Sequence, residues 1–246
     1  MTMINSKKNT DLLSGPIFQS LMLFSIPLLI SNVFQRLYAT VDTMIVGRGL
    51  GEQSLAAIGS TASIYDLLVG FALGIGNGLA IVTARSYGSK DEKLIKKSVA
   101  ASIVIGVICS QIITVAGSTI LVPLMELLDT PADILQEAYS YISVVVLFTV
   151  VMFAYNLAAG LMRAIGNSIM PLVFLIVSSL LNIWLDYVCI VNLKMGIAGA
   201  AYATVFSQLI SAILCFVYIV KKCRIFFIYP LTYCIRVVHK NSVGFF

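Results

Sequence analysis

Six long apolar stretches constrain the fold of this chain more than any other feature. Each can cross a bilayer, because about 20 helical residues span the hydrocarbon core. The stretches cover residues 17–46, 55–84, 99–121, 134–161, 169–191 and 197–220. The sequence therefore predicts an all-α integral membrane protein, in which residues 17–220 form one lobe of six transmembrane helices.

Composition supports a membrane protein and argues against the common soluble classes. Hydrophobic residues make up 59% of the 246 residues and charged residues 11%, whereas roughly a quarter of the residues in soluble domains are charged. A soluble chain of this size could not bury so much apolar surface, so lipid is the expected solvent for much of it. The sequence shows no nucleophile–base set, metal-binding motif or nucleotide loop, so we expect no enzyme, no cofactor and no nucleic-acid partner.

Basic residues predict the orientation of the six spans. Lysine and arginine cluster before the first stretch and after the second, fourth and sixth, whereas the opposite loops carry only Arg48 and Lys194. Loops rich in lysine and arginine stay in the cytoplasm. We therefore expect a multi-pass protein of the cell membrane, most simply the cytoplasmic membrane of a bacterium. Both termini are expected in the cytoplasm, with residues 1–16 as a cytoplasmic segment.

Four oxygen-bearing side chains lie at a similar depth in three different stretches. Asp42 and Asp186 are each about four or five residues from a predicted outer end, Asn182 is one turn deeper, and Thr204 is about seven residues into the last stretch. Two carboxylates in a dry pocket cannot both stay ionised without a counter-cation. The set therefore predicts a site for a proton or a hard cation such as Na⁺. In the alternative interpretation, these residues only join helices or reach the outer headgroups.

Two further charges and two backbone features lie inside the first two stretches. Arg36 and Asp66 are about ten and eleven residues below the predicted outer ends, so antiparallel spans would place them level. An ionised side chain in mid-membrane costs roughly 2.5–3.5 kcal/mol, which predicts that the two form a neutralising ion pair. Pro27 predicts a bend in the first helix, and four glycines within residues 70–78 permit close helix contact.

Several motifs in these stretches resemble the MATE (multidrug and toxic compound extrusion) family of transporters. The resemblance covers about residues 11–224. The motifs that carry it are SIPLL (25–29), LYATVDTMIVG (37–47), LAAIG (55–59), RAIGN (163–167), LNIWLD (181–186) and GIAGAAYAT (196–204).

The resemblance implies a coupling-ion site and an activity. Members of this family bind a cation through an aspartate of span one, an asparagine and an aspartate of span five, and a threonine of span six. By motif, these residues are Asp42, Asn182, Asp186 and Thr204, and the proline that bends span one in some members is Pro27. The implied activity is antiport, in which inward Na⁺ or H⁺ drives the export of organic, often cationic and amphipathic compounds (multidrug efflux).

The chain departs from the family pattern in three ways. Family members have twelve spans in two lobes with the pathway between them, so the resemblance implies that a missing C-terminal half or a second copy is needed. Residues 221–246 do not resemble the linker between lobes, and we expect a cytoplasmic or interfacial tail produced by truncation or frameshift. Arg36 and Asp66 occupy positions expected to be uncharged and polar, which supports their pairing.

Two other functions remain open from the sequence. One is an inert or partner-dependent membrane fragment. The other is a lipid-linked sugar flippase of a related fold, although such a protein usually needs a basic central cavity, to which only Arg36 could contribute here. Membrane lipid and a small organic substrate are the expected partners of the transporter.

Overall fold

The structure, a computed structural model, describes residues 17–222, and this part of the chain is almost entirely helical. The helices are α1 (Ile17–Leu50), α2 (Glu52–Gly88), α3 (Glu92–Leu127), α4 (Leu135–Leu147), α5 (Thr149–Ala164), α6 (Ile169–Tyr187) and α7 (Ile197–Lys222). The predicted cytoplasmic segment 1–16 and all but the first two residues of the predicted tail 221–246 lie outside the described residues.

The helices confirm the predicted class and account for all six apolar stretches. Five helices are each long and apolar enough to cross a membrane, and α4 and α5 together make a sixth candidate span. Most helices extend beyond the apolar stretches, to 37 residues in α2 and 36 in α3. These lengths exceed the roughly 20 residues that a bilayer requires.

The fourth span is bent, which the sequence did not predict. Helices α4 and α5 meet at an angle of 49°, with Phe148 between them and no proline or glycine at the junction. The Thr149 hydroxyl donates to the carbonyl oxygens of Val145 and Val146 at 3.2 and 2.8 Å. Threonine hydroxyls that bond back to the preceding turn compete with the helical ladder and often bend a helix.

Helix α1 continues through Pro27 as one helix of 34 residues. Proline removes a helical hydrogen bond, but neighbouring groups can compensate inside a membrane. One turn later, the Ser31 hydroxyl donates to the Pro27 carbonyl at 2.7 Å. The bend at Pro27 stays a prediction.

The connection from α1 to α2 is a single glycine. Gly51 has a φ of 95°, which side-chain-bearing residues seldom adopt. The turn places the start of α2 beside the start of α4, where the Gln53 amide donates to the Asp133 carbonyl at 3.0 Å and the Ser54 hydroxyl to the Glu137 carboxylate at 2.7 Å. The predicted outer ends of three helices therefore lie together.

Glycines bring α2 and α5 into close contact. A Cβ atom added to Gly160 would lie 2.9 Å from the Gly76 carbonyl oxygen, and one added to Gly76 would lie 3.2 Å from the backbone of Asn156. The other three glycines in the 70–78 segment have no neighbour within 4 Å of such an atom. Small residues allow helix backbones to approach closely, and here Gly76 alone of the four does so.

Candidate functional site: an oxygen cluster at the wall of a cavity

The four side chains predicted from their depth lie together in the structure. Asp42 of α1, Asn182 and Asp186 of α6 and Thr204 of α7 are buried, with exposed fractions of 8%, 1%, 0% and 4%. The Asn182 amide donates to the Thr204 hydroxyl at 3.4 Å. The carboxyl groups of Asp42 and Asp186 are close enough to interact with each other. We call these four side chains the oxygen cluster.

Helices α6 and α7 hold three members of the oxygen cluster in place. Asn182 and Asp186 are four residues apart and so share one face of α6. One turn before Asn182, the Ser178 hydroxyl donates across to the Ser207 carbonyl of α7 at 2.9 Å. A Cβ atom at Gly199 of α7 would lie 3.2 Å from the Cβ of Cys189, just past the end of α6, so the chain also packs closely near Asp186.

A π-helical turn, Val188–Asn192, begins two residues after Asp186. Its hydrogen bonds include the Leu193 amide donating to the Val188 carbonyl at 2.9 Å. π-helical turns inside α-helices are rare and frequently occur at functional sites. This turn was not predicted from the sequence, because no proline or glycine within residues 188–192 signals a break in the helix.

The oxygen cluster contains most of the buried polar atoms that lack a partner. Among the described residues, five buried side-chain atoms have no hydrogen-bond partner: Asp42 Oδ1, Asn182 Oδ1, both carboxylate oxygens of Asp186, and Thr114 Oγ1. An unsatisfied buried polar atom costs about 1–3 kcal/mol, so four of them in one cluster require an explanation.

The chemistry of these atoms favours a proton or a cation. Ionised carboxylates only accept hydrogen bonds, so Asp42 and Asp186 can bond to each other only if one carries a proton. If both are ionised, a cation is needed between them. Carboxylate, amide and hydroxyl oxygens are the ligands that hard cations prefer, and the donor set fits such an ion.

The oxygen cluster borders a cavity of about 860 Å³ between the helices. Asp42 and Thr204 lie on the cavity wall, whereas Asn182 and Asp186 are not among the lining residues and lie behind them. Four tyrosines that were not predicted as site residues also line it: Tyr38, Tyr65, Tyr141 and Tyr155. An isolated tyrosine in an apolar stretch gives no signal of its cavity position, because its ring packs equally well in a core.

A second cavity, of about 450 Å³, adjoins the first and extends toward the predicted cytoplasmic ends of α2 and α5. The two share five lining residues, among them Gln35 and Asn156. At its far end, the Arg163 guanidinium donates to the Asn77 side-chain oxygen at 3.0 Å. A partly polar surface thus runs from the oxygen cluster to the opposite end of the helices.

Arg36 and Asp66 line the larger cavity but do not form the predicted ion pair. Both side chains are exposed. Within residues 17–222, no ion pair within 4.0 Å joins them, whereas Lys96 and Glu92 form one at 3.8 Å. Their depth is matched as expected, but both side chains line the cavity without pairing. The pairing inferred from depth is therefore corrected to two separate charges, which we call the charged layer.

The fold and the site together define a class of protein. Candidate spans, a buried cluster of oxygen-bearing side chains and a large, partly polar cavity beside it are typical of one lobe of a membrane transporter. A family model described as MatE matches residues 27–188. The chain belongs to this family, whose members are transporters and not enzymes.

Individual relatives agree with the family match. The chain is similar to "Probable multidrug resistance protein YoeA" of Bacillus subtilis, at 33% identity over 84% of this chain and 45% of that protein. It is 30% identical to "Probable multidrug resistance protein YpnP" of the same organism, over 87% of this chain and 48% of the other. The fold matches a crystal structure of MATE in the bent conformation with a TM-score of 0.81 and 26% identity.

That structural match covers 93% of this chain but 49% of the solved one. The chain therefore spans about half the length of the relatives it matches, as one lobe of the two-lobed architecture.

Proposed function

We propose that this chain forms the N-terminal half of an antiporter that couples inward movement of Na⁺ or H⁺ to export of organic, often cationic and amphipathic compounds. The observation that carries the proposal is the set of unpartnered oxygens of Asp42, Asn182 and Asp186. Of these residues, Asp42 lines a cavity large enough for a drug-sized molecule. The names of the relatives, which describe multidrug resistance, support the direction of transport.

The energetics are sufficient for uphill export. One monovalent charge that moves down a potential of 100 mV releases about 2.3 kcal/mol, which corresponds to roughly a fifty-fold gradient of substrate. In this proposal, Asp42 and Asp186 bind the coupling ion, and Asn182 and Thr204 complete its oxygen ligands. A second lobe, from a C-terminal half or a second copy, supplies the opposite wall for alternating access. The assembly lies in the cell membrane with both termini cytoplasmic.

Efflux assays with and without a second lobe test this function. The chain would be fused to the C-terminal half of the Bacillus subtilis relative YoeA, and dye export would be followed in cells and in inverted vesicles under a Na⁺ or proton gradient. We expect ion-dependent export from the fusion and none from the unfused chain. Asp42→Asn and Asp186→Asn should each abolish uphill export by the fusion.

Asp133→Asn is the matched control, because Asp133 is an exposed carboxylate outside both cavities. It should leave export unchanged. Unchanged export by the Asp42→Asn and Asp186→Asn fusions would refute the ion site and leave these residues as contacts between helices. Strong export from the unfused chain would show that two copies assemble into a transporter. A fusion that reaches the membrane and exports nothing would favour an inert fragment.

A further inference from the structure

Arg36 and Asp66 lie at the same depth on neighbouring helices. Arg36 is fourteen residues before the end of α1 at Leu50, and Asp66 is fourteen residues after the start of α2 at Glu52. This places each about 21 Å along its helix from the shared turn at Gly51. Among the described residues, neither side chain has an ion-pair or hydrogen-bond partner. Both charges are therefore available to a ligand at one level of the cavity.

The charged layer is separate from the oxygen cluster. Arg36 precedes Asp42 by six residues on the same helix, which is about 9 Å along the axis. An ion held by Asp42 and Asp186 would therefore leave Arg36 and Asp66 unused. Charged residues within membrane spans almost always face a partner, a water-filled cavity or a transport path. These two have no partner in the described chain, and both line the cavity.

The surroundings of the charged layer suit an amphiphilic molecule. Amide side chains of Asn32, Gln35 and Gln208 line the same cavity as the apolar side chains of Val69 and Leu73. The volume of about 860 Å³ lies within the usual range for drug-sized ligands. An arginine guanidinium binds carboxylate, sulfonate or phosphate groups through two parallel hydrogen bonds, whereas an aspartate binds ammonium-type cations.

We infer that this cavity selects zwitterionic amphiphiles, with Arg36 contacting the anionic group of the substrate and Asp66 its cationic group. The inference rests on the proposed transport function and narrows its substrate class. A purely cationic compound would face repulsion from Arg36, and a purely anionic one from Asp66. Specificity of this kind arises as much from the repulsion of wrong ligands as from attraction of the right one.

Binding of two matched dyes to the purified chain tests the inference. Rhodamine 110 carries a cationic xanthene and a free carboxylate, and rhodamine 123 is its methyl ester, which retains only the cation. Fluorescence anisotropy would be measured with the chain in nanodiscs of uncharged-headgroup lipid. We expect rhodamine 110 to bind at least ten-fold more tightly than rhodamine 123.

Substitutions of Arg36 and Asp66 test which charged group of the dye each residue contacts. Arg36→Gln should lower the affinity for rhodamine 110 at least ten-fold and leave that for rhodamine 123 equal or higher. Asp66→Asn should lower the binding affinity for both dyes. Arg36→Lys, which keeps the charge, should retain part of the preference. Arg85→Gln and Glu126→Gln change exposed charges that line neither cavity and should alter neither affinity.

The outcomes separate this inference from the transport function. Equal affinity for the two dyes in the unaltered chain, unaffected by Arg36→Gln, would overturn the zwitterion assignment and leave the export of organic cations intact. Preference for rhodamine 123 would overturn it as well. No binding of either dye would contradict both the assignment and a substrate cavity in this lobe. The comparison in the unaltered chain is decisive even if a variant fails to fold.

Discussion

The oxygen cluster and the charged layer border the same cavity, and counting residues from the helix ends placed each set at one level. In the oxygen cluster, the Asp42 and Asp186 carboxyl groups interact with each other and the Asn182 amide donates to the Thr204 hydroxyl. In the charged layer, Arg36 and Asp66 share a level but are not paired. Equal depth therefore led to contact between side chains in one case and to two unpaired charges on a cavity wall in the other.

The difference shows what depth along a helix determines. A rise of about 1.5 Å per residue gives the level of a side chain but not its direction around the helix axis. Helices α6 and α7 are fixed against each other by bonds such as that from Ser178 to Ser207, which directs their polar faces together. Arg36 of α1 and Asp66 of α2 are both exposed and line the cavity. The oxygen cluster is thus a packed site, and the charged layer is a cavity wall.

Gly160→Ala should disturb the packing of α2, the helix that carries Asp66, against α5. The new methyl would lie 2.9 Å from the Gly76 carbonyl oxygen and push α2, which carries Asp66, away from α5. Forced overpacking of this kind costs about 1–3 kcal/mol, and we expect a loss of about 2 kcal/mol in the unfolding free energy. Unfolding would be followed by circular dichroism during titration with sodium dodecyl sulfate.

The control for this variant is Gly78→Ala in α2, where an added Cβ atom has no neighbour within 4 Å. Replacing a helical glycine there should be neutral or stabilise by up to about 1 kcal/mol. A Gly160→Ala protein as stable as the Gly78→Ala protein would mean that α2 and α5 do not pack as closely as described.

Addition of the coupling ion should stabilise the oxygen cluster and leave the charged layer unaffected. An ion that binds only the folded state at ten times its dissociation constant adds about 1.4 kcal/mol. Thermal unfolding would be compared in Na⁺ and in the bulky cation N-methyl-D-glucamine, at several pH values. Asp186→Asn should abolish the shift, and Asp66→Asn should preserve it. A shift that survives Asp186→Asn would place the ion elsewhere.

Thr204→Val should weaken ion binding without removing a charge. The substitution keeps the shape of the side chain but deletes the hydroxyl that accepts from the Asn182 amide. Loss of one such hydrogen bond costs about 1 kcal/mol, or roughly a five-fold lower ion affinity in the same unfolding assay. Thr204→Ser, which keeps the hydroxyl, should bind the ion normally. Equal behaviour of the two variants would exclude a role for this oxygen.

Much of the fold was predictable because lipid imposes a simple rule on the sequence. A helix must be apolar along the whole bilayer thickness, so all six candidate spans could be found from residue type alone. The bend at Phe148 could not, since no proline or glycine marks it and the local feature there is a threonine hydroxyl that bonds back to Val145 and Val146. Threonines in straight helices have the same sequence signature.

The candidate site was predictable in its members but not in all of its geometry. Asp42, Asn182, Asp186 and Thr204 stand out because lipid disfavours polar groups and because the family motifs include them. That Asp186 and Asn182 lie behind Asp42 and Thr204, and that a π-helical turn follows Asp186, depends on packing between α6 and α7. The pairing of Arg36 with Asp66 failed for the same reason, since it depends on the angle around each helix axis.

The smallest expected effect is the energetic coupling between Arg36 and Asp66. If the two formed a buried ion pair, removing one partner would cost about 3–5 kcal/mol and the double substitution would recover most of the loss. Because the structure leaves both charges exposed to the cavity and unpaired, each single change should alter stability by less than about 0.5 kcal/mol. A double-mutant cycle measures this coupling, and its four proteins are the unaltered chain, Arg36→Gln, Asp66→Asn and the double variant.

Unfolding of these four proteins should give a coupling energy near zero, as expected for residues without direct contact. The cycle of Asn182→Ala with Thr204→Val serves as the positive control, since those two side chains are joined by a hydrogen bond and should couple by about 0.5–1 kcal/mol. A coupling of 1 kcal/mol or more between Arg36 and Asp66 would restore the ion pair and remove the basis for a zwitterion site. A negligible coupling there, with a measurable one in the oxygen cluster, would establish that two charges at equal depth in this lobe do not interact directly.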